Sequence, residues 1–188
     1  MKLVLASESQ FRKRAMDLLG IPYETRPARI DEKAIRDDDP AELTRKIAEA
    51  KAHKVAGECP NSVVVSGDAV AAKGNRIFEK PRDRKQAAEF LKEFSGSHFQ
   101  FVTSIAVLNT QTNRMLSTVE TSDIFFRQLL DREIEQYIHK YDALSYAGAF
   151  ENDAVLLFAD RISRSYNLGT ALPPSRLIVL LREQGVDI

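Results

Sequence analysis

Three stretches of the chain carry residue types that could hold and cleave a polyphosphate. The first is Ser7-Glu8-Ser9-Gln10-Phe11-Arg12-Lys13-Arg14, which follows a short apolar run and opens a helical pattern. A helix start offers free N–H groups and the positive end of the dipole to phosphate oxygens. The Ser7 hydroxyl and the Arg12 guanidinium would add donors there. A dipole alone contributes only about 0.3–1 kcal/mol, so a triphosphate needs cationic partners as well. The plain alternative is a serine that caps the helix beside solvated cations. The second stretch is Asp68, directly after Val63-Val64-Val65-Ser66-Gly67. Carboxyl ends of strands in α/β sheets collect ligands and catalytic groups. A carboxylate there could hold Mg²⁺ or take a proton from an attacking water, or it is simply a turn aspartate. The third is Glu79-Lys80-Pro81, where proline fixes the backbone beyond Lys80 and could aim its ammonium, if this is not an ordinary surface lysine. Lys51 shares a predicted helix face with Ile47 and Lys54, as a snorkelling side chain or a ligand.

Composition narrows the chemistry. Among 188 residues, 27 Lys and Arg balance 27 Asp and Glu. A net charge of zero argues against a general polyanion binder but leaves room for a local basic pocket. Nucleic-acid binding through Arg12, Lys13 and Arg14 is therefore the least favoured reading. The single cysteine, Cys59, excludes an intrachain disulfide framework and a cysteine metal cluster. No apolar run approaches the roughly 20 residues of a membrane span, so a soluble cytoplasmic protein with no membrane partner is expected. Neither a P-loop nor a dinucleotide fingerprint occurs. His53, His98 and His139 lack metal-ligand spacing, and no G-x-S-x-G marks a nucleophile.

The elements that must position these groups follow from periodicity. Leu3 to Ala6 reads as a buried strand, and Phe11, Ala15, Leu18 and Leu19 as one helix face ending at Gly20. A charged loop runs from Pro22 to Asp39, and Pro40 starts a helix that ends at Gly57. Val63 to Val65 reads as a strand stopping at Ser66-Gly67, and a hairpin at Lys73-Gly74-Asn75 leads to Ile77-Phe78. Asp83 caps a helix closed by Ser95-Gly96. Phe99 to Leu108 and Met115 to Phe126 read as paired strands, with a helix near Asp131 to His139 after them. A loop is expected at Ala147-Gly148-Ala149, a strand at Ala154 to Ala159, and a final helix over Leu177 to Leu181. Early βα units followed by hairpins predict a mixed sheet in an α/β fold.

Read together, Leu5-Ala6-Ser7-x-Ser9-x-x-Arg12, Asp31-Glu32, Ala48-x-x-Lys51-Ala52, Gly67-Asp68, Lys80-Pro81, Ser95-Gly96 and Ala147-Gly148-Ala149-Phe150 resemble the Maf family in order and spacing, over nearly the whole chain. The resemblance implies one Maf-like domain over 1–188: an elongated mixed α/β sheet with helices, in two lobes around a central cleft, usually as a homodimer. It also implies hydrolysis of a nucleoside triphosphate between the α- and β-phosphates, to monophosphate and pyrophosphate, with Mg²⁺ or Mn²⁺. On this resemblance Ser7, Arg12 and Lys51 would hold phosphate, and Lys80 would counter the remaining charge. Glu32 and Asp68 would bind the metal or orient water, and Asp68 matches the family's proton acceptor; the division between metal ligand and base stays open.

Three positions that vary with the base recognised match Phe11, Ala69 and Asp153. The family's dTTP/UTP branch carries Arg, Thr and Gln there, and its 7-methyl-GTP branch an aromatic residue, Gln and Glu. Phe11 and Asp153 stand nearer the second. A cationic methylated guanine stacks on an aromatic face, and a carboxylate can accept both N–H groups of its pairing edge. Phe11 has two readings, since its spacing with Ala15 and Leu18 equally fits a core position. The chain departs from the family at Gln10, at Phe11, at Ala69, in the glycine-poor Glu151 to Val155, and in Asn167 to Pro173, where the glycine before Leu-Pro is shifted or lost. The alternatives to 7-methyl-GTP hydrolysis are a dTTP/UTP pyrophosphatase and a nucleotide-binding regulator of cell division with little turnover.

Overall fold

The computed structural model describes residues 1–164 and 169–188; Asn167 and Leu168 lie outside the described residues. The chain divides into two compact units, one of residues 1–68, 103–120 and 170–188, the other of residues 69–102 and 121–169.

In the first unit, strand β1 (Lys2–Leu5) pairs in parallel with β2 (Glu24–Thr25) and with the start of β3 (Ser62–Lys73), Leu3 opposite Val63 and Leu5 opposite Val65. Strands covered on both faces must be apolar throughout, which is why Leu3-Val4-Leu5 and Val63-Val64-Val65 do not alternate with polar residues. Leu3, Leu5, Val63 and Val65 pack on one side with Ala15 and Met16 of α1 (Gln10–Asp17) and Leu177 and Leu181 of α5 (Pro174–Glu183). Val4 and Val64 turn the other way, onto Ala48, Ala52 and Val55 of α2 (Pro40–Ala56). Helix α2 starts as its sequence predicts. Pro40 occupies the first turn, and the Asp39 carboxylate accepts the Ala41 N–H at 2.8 Å.

The second unit has a different interior. Strand β4 (Arg76–Phe78) folds back on the end of β3, Ala71 opposite Phe78, in the predicted hairpin. Helix α3 (Arg84–Phe94) is capped by Asp83, whose carboxylate accepts the Gln86 N–H at 2.8 Å. Its Phe90, Leu91 and Phe94 join Phe99 of β5 (His98–Asn109), Phe126 of β6 (Arg114–Phe126), and Ile134 and Tyr137 of α4 (Asp131–Lys140). Phe94 packs closely in this cluster, with ring centroids 4.0 Å from Phe99 and 4.6 Å from Phe78. Strand β7 (Ala159–Arg164) runs antiparallel to β6. The strand order is β2-β1-β3-β5-β6-β7, with β4 beside β3, a mixed sheet of the predicted α/β class. Among the described residues no helix is long and apolar enough to cross a membrane.

Two elements differ from the sequence reading. The strand at Val63 to Val65 does not stop at Gly67 but continues to Lys73. A Cβ on Gly67 would come within 2.5 Å of the Leu172 side chain and 2.7 Å of the Ser104 carbonyl oxygen. The glycine permits close approach inside the strand and makes no turn, so Asp68 lies within β3 and not at its carboxyl end. The predicted strand at Ala154 to Ala159 is instead a 3-10 turn over Ala154–Leu157, and β7 starts only at Ala159. A short apolar run looks alike in either state. Smaller differences lie in the Pro22 to Asp39 loop, which contains β2 and a 3-10 turn at Glu32–Ala34, and in α1, whose helical residues end at Asp17.

Candidate functional site

The first unit gathers four charged residues from four separate segments. Lys51, near the C-terminal end of α2, points its ammonium between two carboxylates: Nζ lies 2.8 Å from Asp68 Oδ1 and 3.0 Å from Glu32 Oε1. Lys51 and Asp68 are each only 7% exposed, whereas the Glu32 side chain is half exposed. Glu32 owes its place to a local device. The Asp31 carboxylate accepts the Lys33 N–H at 3.1 Å and closes the 3-10 turn that presents Glu32. Asp68 is held through its backbone as well, its N–H donating to Ser104 Oγ at 3.3 Å.

Arg12 is the fourth member. It sits in the first turn of α1, and its Nη1 donates to the buried Ser7 Oγ at 3.3 Å. The same hydroxyl accepts the Ser9 N–H at 3.2 Å, so Ser7 organises the approach to the helix, while Ser9 at the cap position makes no side-chain cap bond. Arg12 Nε is buried and has no hydrogen-bond partner among the described residues. Native proteins seldom leave a buried donor unpaired, and a ligand acceptor is one remedy.

Burial dominates the electrostatics of this group. It pushes the Arg12 guanidinium below its ordinary value, while the charges of Asp68 and then Glu32 pull it back up. Burial likewise raises the Asp68 carboxyl, against the opposing pull of Lys51 and Arg12, with Glu32 adding to the rise. A buried carboxyl raised in this way is better suited to accept a proton near neutral pH than an ordinary aspartate.

Of the residues marked in the sequence, the structure thus brings together Ser7, Arg12, Glu32, Lys51 and Asp68. Lys80, Ala69 and Asp153 belong to the second unit. Lys80 is exposed just after β4, and the neighbouring Glu79 carbonyl accepts the Gly148 N–H at 3.2 Å, tying this segment to the Ala147–Ala149 turn. Ala69 is half-buried against the aromatic core, and Asp153 is exposed. Phe11 is 4% exposed, and the Arg14 guanidinium lies 5.6 Å from its ring centroid. Of its two readings, packing is the one this burial supports, since little of the ring is left to stack on a base. Among the described residues no group of three or more His, Cys, Asp or Glu forms a metal cluster. A residue of the site that composition does not mark is Ser104. The signal for it is Thr103-Ser104, a polar pair interrupting an apolar strand.

The profile of the family described as Maf-like protein matches residues 2–184. A 7-methyl-GTP pyrophosphatase from Chromohalobacter salexigens is 36% identical, over 99% of this chain and 97% of its own. Another from Aliivibrio fischeri is 32% identical, over 100% of this chain and 98% of its own. A solved structure of a nucleoside-triphosphatase, a dITP/XTP pyrophosphatase from Mycobacterium abscessus, aligns at a TM-score of 0.44 and 15% identity, over 69% of this chain and 76% of that one. With a family match spanning nearly every residue and relatives covered end to end, the chain belongs to the Maf-like protein family.

Proposed function

We propose that this protein is a nucleoside triphosphate pyrophosphatase acting on 7-methyl-GTP, giving 7-methyl-GMP and pyrophosphate. The observation that carries the reading is the buried Lys51–Asp68 pair, joined by Glu32 and by the unpartnered Arg12 Nε. The names of the full-length relatives supply the substrate class.

In this reading Ser7 and Arg12 bind phosphate oxygens at the start of α1, where a poorly solvated guanidinium attracts anions more strongly than one in water. Asp68 takes a proton from a water that attacks the α-phosphorus. The new P–O bond forms as the bond to the bridging oxygen breaks, and pyrophosphate leaves with the electron pair. Lys51 keeps Asp68 oriented and balances its charge once the proton has moved on. Lys80 is assigned to the departing pyrophosphate on the family resemblance. Glu32 and Asp68 also carry the hard oxygen donors a divalent cation takes, and would hold it through the lone pairs that Lys51 leaves open, with waters and phosphate oxygens as its other ligands. Bound there, Mg²⁺ or Mn²⁺ would polarise the phosphoryl group and offset its charge. Asp153 and Ala69 are assigned to the base on the same resemblance. A cytoplasmic homodimer belongs to the same proposal, and equal numbers of acidic and basic residues favour a free nucleotide over nucleic acid.

The test is pyrophosphate release from a panel of triphosphates with Mg²⁺ or Mn²⁺, comparing wild type with Asp68→Asn. The expected result is preferential turnover of 7-methyl-GTP, reduced about 10²–10⁴-fold in the variant. Faster turnover of dTTP or UTP would overturn the substrate assignment. Tight nucleotide binding without pyrophosphate would identify a regulator instead.

A further inference from the structure

We propose that Ser66 and Ser104 are positioning residues, which set the Lys51–Asp68 pair by clamping the backbone of α2 from two strands. Lys51 is a long side chain, so the place of its ammonium depends on where the helix itself sits. Thr44, Ala48 and Lys51 are spaced i, i+4 and i+7 and therefore share one face of α2. The first two carbonyls on that face are gripped by hydroxyls. Ser104 Oγ of β5 donates to the Thr44 carbonyl oxygen at 2.7 Å, and Ser66 Oγ of β3 donates to the Ala48 carbonyl oxygen at 2.5 Å. Ser104 Oγ also accepts the Asp68 N–H, so a single hydroxyl touches both the helix that carries the lysine and the residue the lysine pairs with.

Both serines are wholly buried, in strands whose neighbours are Val64, Val65, Ile105 and Ala106. The carbonyls they meet lie inside α2, where the helix ladder supplies its own donors. Backbone satisfaction therefore does not require these hydroxyls, and an apolar residue would suit the surroundings better. What they add is a fixed register of α2 against β3 and β5. A third hydroxyl makes a useful contrast: Ser117 Oγ of β6 donates at 2.7 Å to the half-exposed Glu49 side chain of α2, not to its backbone. Displacement of reacting groups by about 1 Å lowers turnover by about a hundredfold, so a helix clamp acts on catalysis without touching substrate.

The kinetic arm rests on the pyrophosphatase reading; a second arm does not. In the full chain, Ser66→Ala with Ser104→Ala is expected to lower kcat for 7-methyl-GTP about tenfold or more with KM unchanged. Ser66→Thr with Ser104→Thr, which keeps the hydroxyls, restores it, and Ser117→Ala has no effect. Because Ser66 Oγ grips only α2 and so acts through Lys51, adding Ser66→Ala to Lys51→Ala causes no further loss. The second arm follows the Lys51 ammonium by ¹⁵N–¹H NMR: a resolved, exchange-protected signal in wild type that broadens in the double alanine variant. Single Ser66→Ala, which removes only the contact to Ala48, serves if the double variant does not fold. Should wild type release no pyrophosphate, the pyrophosphatase reading fails while the NMR arm still decides the clamp. A Lys51 signal and a kcat both unchanged in the alanine variants, or a Ser66→Ala loss fully additive with Lys51→Ala, would overturn it.

Discussion

The two units spend their buried volume differently. The second is filled with rings: Phe78, Phe94, Phe99, Phe126, Phe150 and Phe158 pack edge-on and stacked, with little polarity inside. The first buries Lys51, Asp68, Ser7, Thr44, Ser62, Ser66, Thr103 and Ser104 among its aliphatic residues. Aromatic packing stabilises through area removed from water, whereas buried polar groups cost desolvation and return fixed geometry. The contrast separates a unit built for cohesion from one that holds charge in place.

Substitutions of the buried groups in each unit should therefore fail in different assays. The largest effect falls on the charged group: Asp68→Asn lowers kcat/KM about 10²–10⁴-fold in a pyrophosphate assay while the protein still folds. Next, Phe94→Ala destabilises by about 3–5 kcal/mol, read as a lowered denaturant midpoint, because it removes a fully buried ring from the aromatic cluster. Loss of turnover without loss of stability in that variant would erase the contrast. Lys80→Ala is expected to cost about ten- to hundredfold in turnover, the loss of a hydrogen bond to a charged group, with no change in melting because the residue is exposed. Unchanged kinetics would remove Lys80 from the mechanism.

The smallest effect is in the pH dependence. Burial raises the Asp68 carboxyl, so the acid limb of kcat/KM should lie above the ordinary carboxylate range. Lys51 opposes that rise, so Lys51→Met should move the limb further up. The sign for stability is the same. The folded protein holds this proton more tightly than the unfolded chain, so the contribution of Asp68 is greatest below the ordinary aspartate value and declines as pH rises through the raised one. The melting temperature of Asp68→Asn relative to wild type should accordingly increase with pH across that window. A difference independent of pH would contradict the raised carboxyl.

Local chemistry makes much of this arrangement legible in the sequence. Asp39-Pro40 and Asp83 start their helices where capping rules place them, and Gly74 turns its hairpin. The convergence of Ser7, Arg12, Glu32, Lys51 and Asp68 was legible only as a family pattern, since no local rule joins residues so far apart in sequence. Gly67 departs from its local signal for a related reason. A glycine after three valines looks like a strand end, but what demands it is Leu172 and Ser104, two distant segments that meet it in space. Phe11 shows the limit of periodicity, because the spacing that would aim a ring at a ligand also aims it into a core.

The most direct measurement is hydrolysis of 7-methyl-GTP in ¹⁸O-labelled water by wild type and Asp68→Asn, with products weighed by mass spectrometry. The account predicts label in the monophosphate, none in the pyrophosphate, and almost no product from the variant. Label in the pyrophosphate, release of orthophosphate, or equal turnover by the two proteins would contradict it.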